Sequence, residues 1–251
     1  MKTTFIGIDL AWSVDRNHTG IVVLRGDARG EQFAASATGV TSLAAIVEFV
    51  QEHASSSTVV AVDAPLIVTN MSGFRECERK IGEEFGSYDA SCHSNNLTRT
   101  PKPAGMQLVA ALERVGFRHD FDITRARQRK GRWLFEVYPH PAMVVLFGLE
   151  QIIKYKKGSV AQKRRGLAEL QQHLGMLASG SRGLIETATL RELLSRDVAA
   201  LRGAALKQYE DTLDALFCAY LAWHCWRWGQ ARNKCFGDLE HGYIVVPKEV
   251  G

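Results

Sequence analysis

Long apolar runs are missing from this 251-residue chain, and so is any cysteine pairing of the CxxC kind. A bilayer span needs about 20 consecutive apolar residues, so no membrane partner is expected. The five cysteines, Cys77, Cys92, Cys218, Cys225 and Cys235, are odd in number and scattered, a pattern that argues against a disulfide-stapled secreted scaffold. The chain opens Met1-Lys2-Thr3-Thr4 and passes straight into a short apolar stretch. That stretch is too short for the core of a signal peptide, and the expected compartment is the cytoplasm. Repeats and low-complexity tracts are absent as well. So is a strong charge of one sign: 31 Lys and Arg against 27 Asp and Glu leave +4, which permits a polyanionic partner without demanding one. What the chain has is apolar residues, 46% of the total, enough for a sizeable core.

Their pattern predicts a mixed sheet. Residues 5–12, 19–24 and 31–38 read as three strands in a meander, the second closed by the turn Arg25-Gly26-Asp27. Leu43, Ile46, Val47 and Val50 follow at helical spacing. Residues 58–62 form a β-branched run ending in Asp63-Ala64-Pro65, where the proline favours a strand end. Residues 70–102 are polar and irregular, with Cys77, Ile81 and Phe85 spaced for one short helix; so long a stretch is more often a functional loop than filler. Residues 107–115 read as helix and 132–137 as a strand stopped by Tyr138-Pro139-His140-Pro141. A charged helical stretch at 159–207 reads as an insertion, 211–228 as a strong helix and 243–246 as a closing strand. Together these predict one α/β domain over residues 1–251, with helices covering both sheet faces.

Acids inside the apolar strands carry the chemistry. Ionised carboxylates are seldom buried unless paired, hydrogen-bonded or bound to metal. Asp9 closes Phe5-Ile6-Gly7-Ile8 as Asp63 closes Val59-Val60-Ala61-Val62, and Glu136 stands within Trp133-Leu134-Phe135-Glu136-Val137. If the strands are neighbours, about 4.8 Å apart, same-face carboxylates can share a cation. Asp211 and Asp214 are three residues apart on one helical face, and small residues continue it: Ala215, Cys218, Ala222 and Cys225. Such a face lets the helix lie close on the sheet and brings its acids to the strand acids. An oxygen-only donor set points to Mg²⁺ or Mn²⁺, and two such ions about 4 Å apart can drive phosphodiester hydrolysis. Blander readings exist for each residue alone: a turn-forming Asp at a strand end, acids complementing the dipole in a first helical turn, or a Glu paired with a neighbouring base. The set in one chain favours the metal site.

Basic residues flank the Glu136 strand. Arg125, Arg127, Arg129, Lys130 and Arg132 precede it, and Lys154, Lys156, Lys157, Lys163, Arg164 and Arg165 follow. Of these, Arg129, Lys130, Lys156 and Lys157, with Arg75 and Arg79 of the irregular loop, are the candidate substrate contacts, since a groove that tracks phosphates needs such charge. The alternative is a solvated charged face.

Gly7-Ile8-Asp9-Leu10-Ala11, Val62-Asp63-Ala64-Pro65-Leu66, Glu136-Val137-Tyr138-Pro139-His140-Pro141, Asp211-Thr212-Leu213-Asp214-Ala215-Leu216 and Gly242-Tyr243-Ile244-Val245-Val246-Pro247 together resemble the domain of unknown function 429 family, across nearly the whole chain. The resemblance implies an RNase H-like fold, with a five-stranded mixed core sheet, and a nuclease activity. The acidic layout is also similar to Holliday-junction resolvases of the RuvC type. That match implies Asp9, Asp63, Asp211 and Asp214 as metal ligands, nucleic acid as partner and a homodimer as a reasonable assembly; it has no acid at Glu136. The expected function is therefore metal-dependent hydrolysis of DNA or RNA. Asp9 would bridge two ions, Asp63 and Asp214 would each hold one, Asp211 would assist, and Glu136 would be a ligand or a base just behind the ligands. A non-catalytic nucleic-acid-binding module of the same fold is the alternative. An ATP-dependent phosphotransferase fits less well, because Leu10-Ala11-Trp12 and Ala64-Pro65 stand where glycine-rich phosphate turns are needed.

Overall fold

The computed structural model describes residues 2–13, 17–122, 130–178 and 183–248. The strands are β1 (Thr3–Asp9), β2 (Thr19–Asp27), β3 (Gly30–Val40), β4 (Ser57–Asp63), β5 (Arg118–His119), β6 (Gly131–Glu136), β7 (Leu184–Ile185), β8 (Asn233–Asp238) and β9 (Gly242–Pro247). The helices are α1 (Leu43–His53), α2 (Glu76–Phe85), α3 (Ala104–Arg114), α4 (Pro139–Phe147), α5 (Val160–Ala178), α6 (Ala188–Leu194) and α7 (Gly203–Trp228). Seven strands make one mixed, mostly parallel sheet in the order β5-β6-β4-β1-β2-β3-β7, and β8 and β9 form a separate hairpin. The meander β1-β2-β3 is antiparallel throughout, and β4 returns parallel to β1 after α1. The sheet thus exceeds the five strands expected from sequence by the two-residue edge strands β5 and β7, too short to leave a periodic pattern.

Alternation along the central strands feeds two cores, and this is why those strands read as nearly continuous apolar runs. Ile6, Ile8, Ile21, Val23, Val60, Val62 and Leu134 pack with Ile46 and Val50 of α1 and Leu108 and Leu112 of α3. Phe5, Val22, Leu24, Val59, Ala61 and Phe135 face the other way, toward α7. Helix α7 is buried without a break from Tyr209 to Trp226. A helix apolar on every side belongs inside a structure, and α7 lies between the sheet and the layer that includes α5.

Two glycines set the depth of α7. A Cβ at Gly7 would fall on the carbonyl oxygen of Ala215 and the amide nitrogen of Ala219, and one at Gly20 would fall on the carbonyl of Asp211. Gly20 is the register partner of Asp9. Asp211 therefore lies over the Asp9–Gly20 pair and Ala215 over Gly7. Four helical residues advance about 6 Å and two strand residues about 6.6 Å, so the helix runs antiparallel to β1 nearly in step with it.

Sequence patterning misses three boundaries. The stretch Tyr138-Pro139-His140-Pro141 does not simply stop a strand: Pro139 opens α4, at a position where the missing N–H costs nothing. Helix α7 starts at Gly203, so Asp211 and Asp214 lie beyond its first turn and are not dipole-capping acids. The closing strand β9 pairs with β8 rather than joining the main sheet, to which a backbone bridge between Val245 and Val137 and the Tyr243 hydroxyl, bonded to the Glu136 amide and His119, connect it.

Candidate functional site

Asp9 and Asp63 are the last residues of adjacent parallel strands and are direct register partners. They stand at the carboxyl edge of the sheet, where open α/β sheets offer a crevice. Each reaches a cavity of about 530 Å³ while protein surrounds it elsewhere. Burial raises the pKa of both; the neighbouring carboxylates raise it further and Lys156 opposes them, leaving Asp63 at about 7. Asp211 lines the same cavity and is likewise raised by burial, with Lys207 opposing.

Asp214, one helical turn on from Asp211, is fully buried. Tyr155 Oη donates to its Oδ1 at 2.5 Å, and Lys156 Nζ lies 3.0 Å from its Oδ2. On the other acid, Lys207 Nζ lies 2.6 Å from Oδ1 of Asp211 and 2.7 Å from Oε1 of Glu210. The Lys207 and Lys156 ammonium groups thus meet Asp211 and Asp214, and Asp211 also lies within hydrogen-bonding reach of Asp9. Burial works against the charge on Lys156, but Asp214, Asp9 and Asp63 outweigh it and hold the pKa well above the ordinary value. Among the described residues, no three His, Cys, Asp or Glu side chains are arranged to hold a metal ion.

Glu136 is placed differently. The β4–β6 register pairs Val62 with Glu136, so Val137 comes level with Asp63 and Glu136 takes the alternate direction. Its carboxylate is fully engaged: Arg75 forks onto it with Nη1–Oε2 at 2.9 Å and Nη2–Oε1 at 2.6 Å, and the Leu66 amide donates to Oε2 at 2.8 Å. Arg75 also holds Glu78 through Nε at 2.8 Å and the Ile67 carbonyl through Nη1 at 3.0 Å. This buried network ties the segment after β4 to β6 and to the start of α2.

The expected substrate contacts fall in different places. Arg75 is consumed by that network. Arg79 is exposed on α2 and pairs with Glu83 and Glu76 on its own helix. Lys130 lines a second cavity at the start of β6, the opposite end of the sheet strands from Asp63. Arg129, with Arg125 and Arg127, lies outside the described residues. Lys157 is exposed and does not line the acidic cavity, whereas Lys156 is inside it. The structure thus brings together Asp9, Asp63, Asp211, Asp214 and Lys156, adds Tyr155 and Lys207, and keeps Glu136 and Arg75 in the lining of the same cavity. Lysine at 207 three and four residues before acids on a helix was a readable signal; Tyr155 was not, since nothing in its neighbours distinguishes a core tyrosine from one aimed at a carboxylate.

The fold and site define an α/β protein in which one buried helix lays two aspartates against two more at the carboxyl edge of a mixed sheet. The chain belongs to the DUF429 family: the family model, described as a protein of unknown function, matches residues 7–240. No curated protein matches the chain. Among the described residues no helix is long and apolar enough to cross a membrane.

Proposed function

We propose that this chain is a metal-dependent phosphodiesterase of RNase H-like fold acting on nucleic acid. The observation that carries the reading is the register pairing of Asp9 with Asp63 beneath Asp211 and Asp214. The order β3-β2-β1-β4-β6, with β2 antiparallel to both neighbours and α7 laid across it, supports the fold assignment.

By type the donors suit Mg²⁺ or Mn²⁺, four carboxylates with no soft ligand among them, although Lys156 and Lys207 rest on Asp214 and Asp211 and, among the described residues, no three acids are gathered to hold an ion. Asp9, Asp63, Asp211 and Asp214 would hold the cation. Bound there, it supplies a Lewis acid for the phosphodiester and makes the attacking water more acidic. Lys156 and Lys207 provide the counter-charge otherwise and present positive charge to the cavity. Tyr155 fixes the rotamer of Asp214. Glu136 is a positioning residue, acting through Arg75 and the Leu66 amide rather than on substrate.

A second reading is a binding module that works without metal. It is favoured by the two ammonium groups already resting on Asp214 and Asp211. The deciding experiment is cleavage of a labelled panel (single- and double-stranded DNA and RNA, an RNA–DNA hybrid and a four-way junction) with Mn²⁺ or Mg²⁺, beside Asp9→Asn and Asp214→Asn. Cleavage that needs metal and is lost in both variants supports hydrolysis. No cleavage anywhere, together with a melting temperature indifferent to Mn²⁺, favours the binding module.

A further inference from the structure

Trp12 lies three residues beyond Asp9, lines the acidic cavity and is 60% exposed. Soluble proteins scatter single apolar residues over their surfaces, but grouped ones mark binding sites. Seven large hydrophobic side chains are exposed among the described residues; Trp12 follows β1 and lines the cavity, whereas Met71 and Phe74 follow β4 and do not line it. Those are the two strands that end in Asp9 and Asp63.

The cavity behind Trp12 has the size of a small-ligand site at about 530 Å³. Leu10, Ala64, Pro65 and Val68 give it apolar walls, and Asn17 and His18 add hydrogen-bonding groups to its lining. Residues 92–100 of the long polar segment and residues 103–105 at the start of α3 supply another wall. A cavity of this volume matches a single nucleotide rather than a duplex segment, and enzymes that act inside comparable pockets take a nucleotide out of its stack. An exposed indole in the cavity lining offers the platform on which an unstacked base rests.

Building on the hydrolytic reading above, we infer that the cavity takes an unpaired nucleotide, with its base laid on Trp12 and its phosphate directed to the aspartate floor. The nucleotide comes from a single-stranded segment or is free in solution.

The test is equilibrium binding by fluorescence anisotropy in Ca²⁺, using a labelled single-stranded oligonucleotide, its duplex and the same strand with abasic sites. Wild type, Trp12→Ala and Trp12→Phe are compared, with a mononucleotide as competitor. The single strand should bind more tightly than the duplex or the abasic strand. Trp12→Ala should weaken it about 5- to 100-fold, the range of one base stacked on an aromatic ring, and Trp12→Phe should retain most of the affinity. Competition by the mononucleotide assigns the site to free nucleotides; its failure against a bound oligonucleotide assigns it to strands. Equal binding by wild type and Trp12→Ala, no binding by wild type, or a duplex or abasic strand that binds as tightly as the single strand overturns the inference. Because binding is read without cleavage, Trp12-dependent binding in a protein that cleaves nothing sinks the hydrolytic reading alone. Metal-dependent cleavage with Trp12-independent binding sinks only the inference.

Discussion

Lys156 places its Nζ 3.0 Å from Oδ2 of Asp214, on the flank of the carboxylates contributed by β1 and β4. The position a cation would take is thus already bordered by a positive group supplied by the chain itself, and binding of an ion must compete with it.

The competition can be measured. In Lys156→Met the aspartates lose their nearest counter-charge, so the metal-free protein should melt lower. Its side chain is 31% exposed, so the loss is expected at about 1–2 kcal/mol, below that of a fully buried pair. Mn²⁺ should then raise the melting temperature of the variant more than that of wild type, through tighter binding to the native state alone. An equal Mn²⁺ response in both proteins would show that Lys156 does not contend with the ion.

Arg75 and Glu136 make a second, structural prediction. Removing one partner of a buried pair costs about 3–5 kcal/mol, and Arg75→Ala should approach this because three acceptors lose their donor at once. Arg75→Lys should recover little, since an ammonium cannot fork onto a carboxylate and still reach Glu78. The double variant Arg75→Met/Glu136→Gln should cost less than the sum of its single variants. Urea denaturation reads all of these, and strict additivity would deny the coupling.

What was legible in the sequence were features written in local pattern. Asp9 and Asp63 each close a run of β-branched and aliphatic residues, and the small face of α7 announces close packing before any contact is known. Strand register is not written locally. The neighbours of Glu136 depend on pairing with Val62 rather than with Asp63, a one-residue offset that local pattern does not carry. Lys156 read as one of many loop cations because its partner is 58 positions away, on α7, a distance no periodicity spans.

The close seating of α7 gives the third prediction. Gly7→Ala puts a methyl group against backbone atoms of Ala215 and Ala219, which cannot rotate aside as a side chain can. Overpacking costs about 1–3 kcal/mol and more where backbone must move. Displacing α7 also draws Asp211 and Asp214 away from Asp9, so the Mn²⁺-induced rise in melting temperature should fall even at temperatures where the variant is folded. A variant of wild-type stability and wild-type Mn²⁺ response would refute the seating.

Glu31 gives the last prediction, away from the site. It is fully buried on β3, and among the described residues no donor reaches either of its carboxylate oxygens. Burial holds its pKa well above the ordinary 4.5. The sign follows from proton linkage: the folded state keeps the proton in a range where the unfolded chain has released it. The contribution is therefore fully present below the unfolded value and is lost as pH rises through the folded one. Glu31→Gln fixes the neutral state and should remove that loss. Any cost of seating the amide is the same at every pH, so the readout is the difference between two conditions. Relative to wild type, the variant should gain stability between pH 5 and pH 9, by about 2–4 °C in melting temperature for each kcal/mol relieved. A difference that stays constant across that range would mean that Glu31 is ionised in the fold and held by a partner.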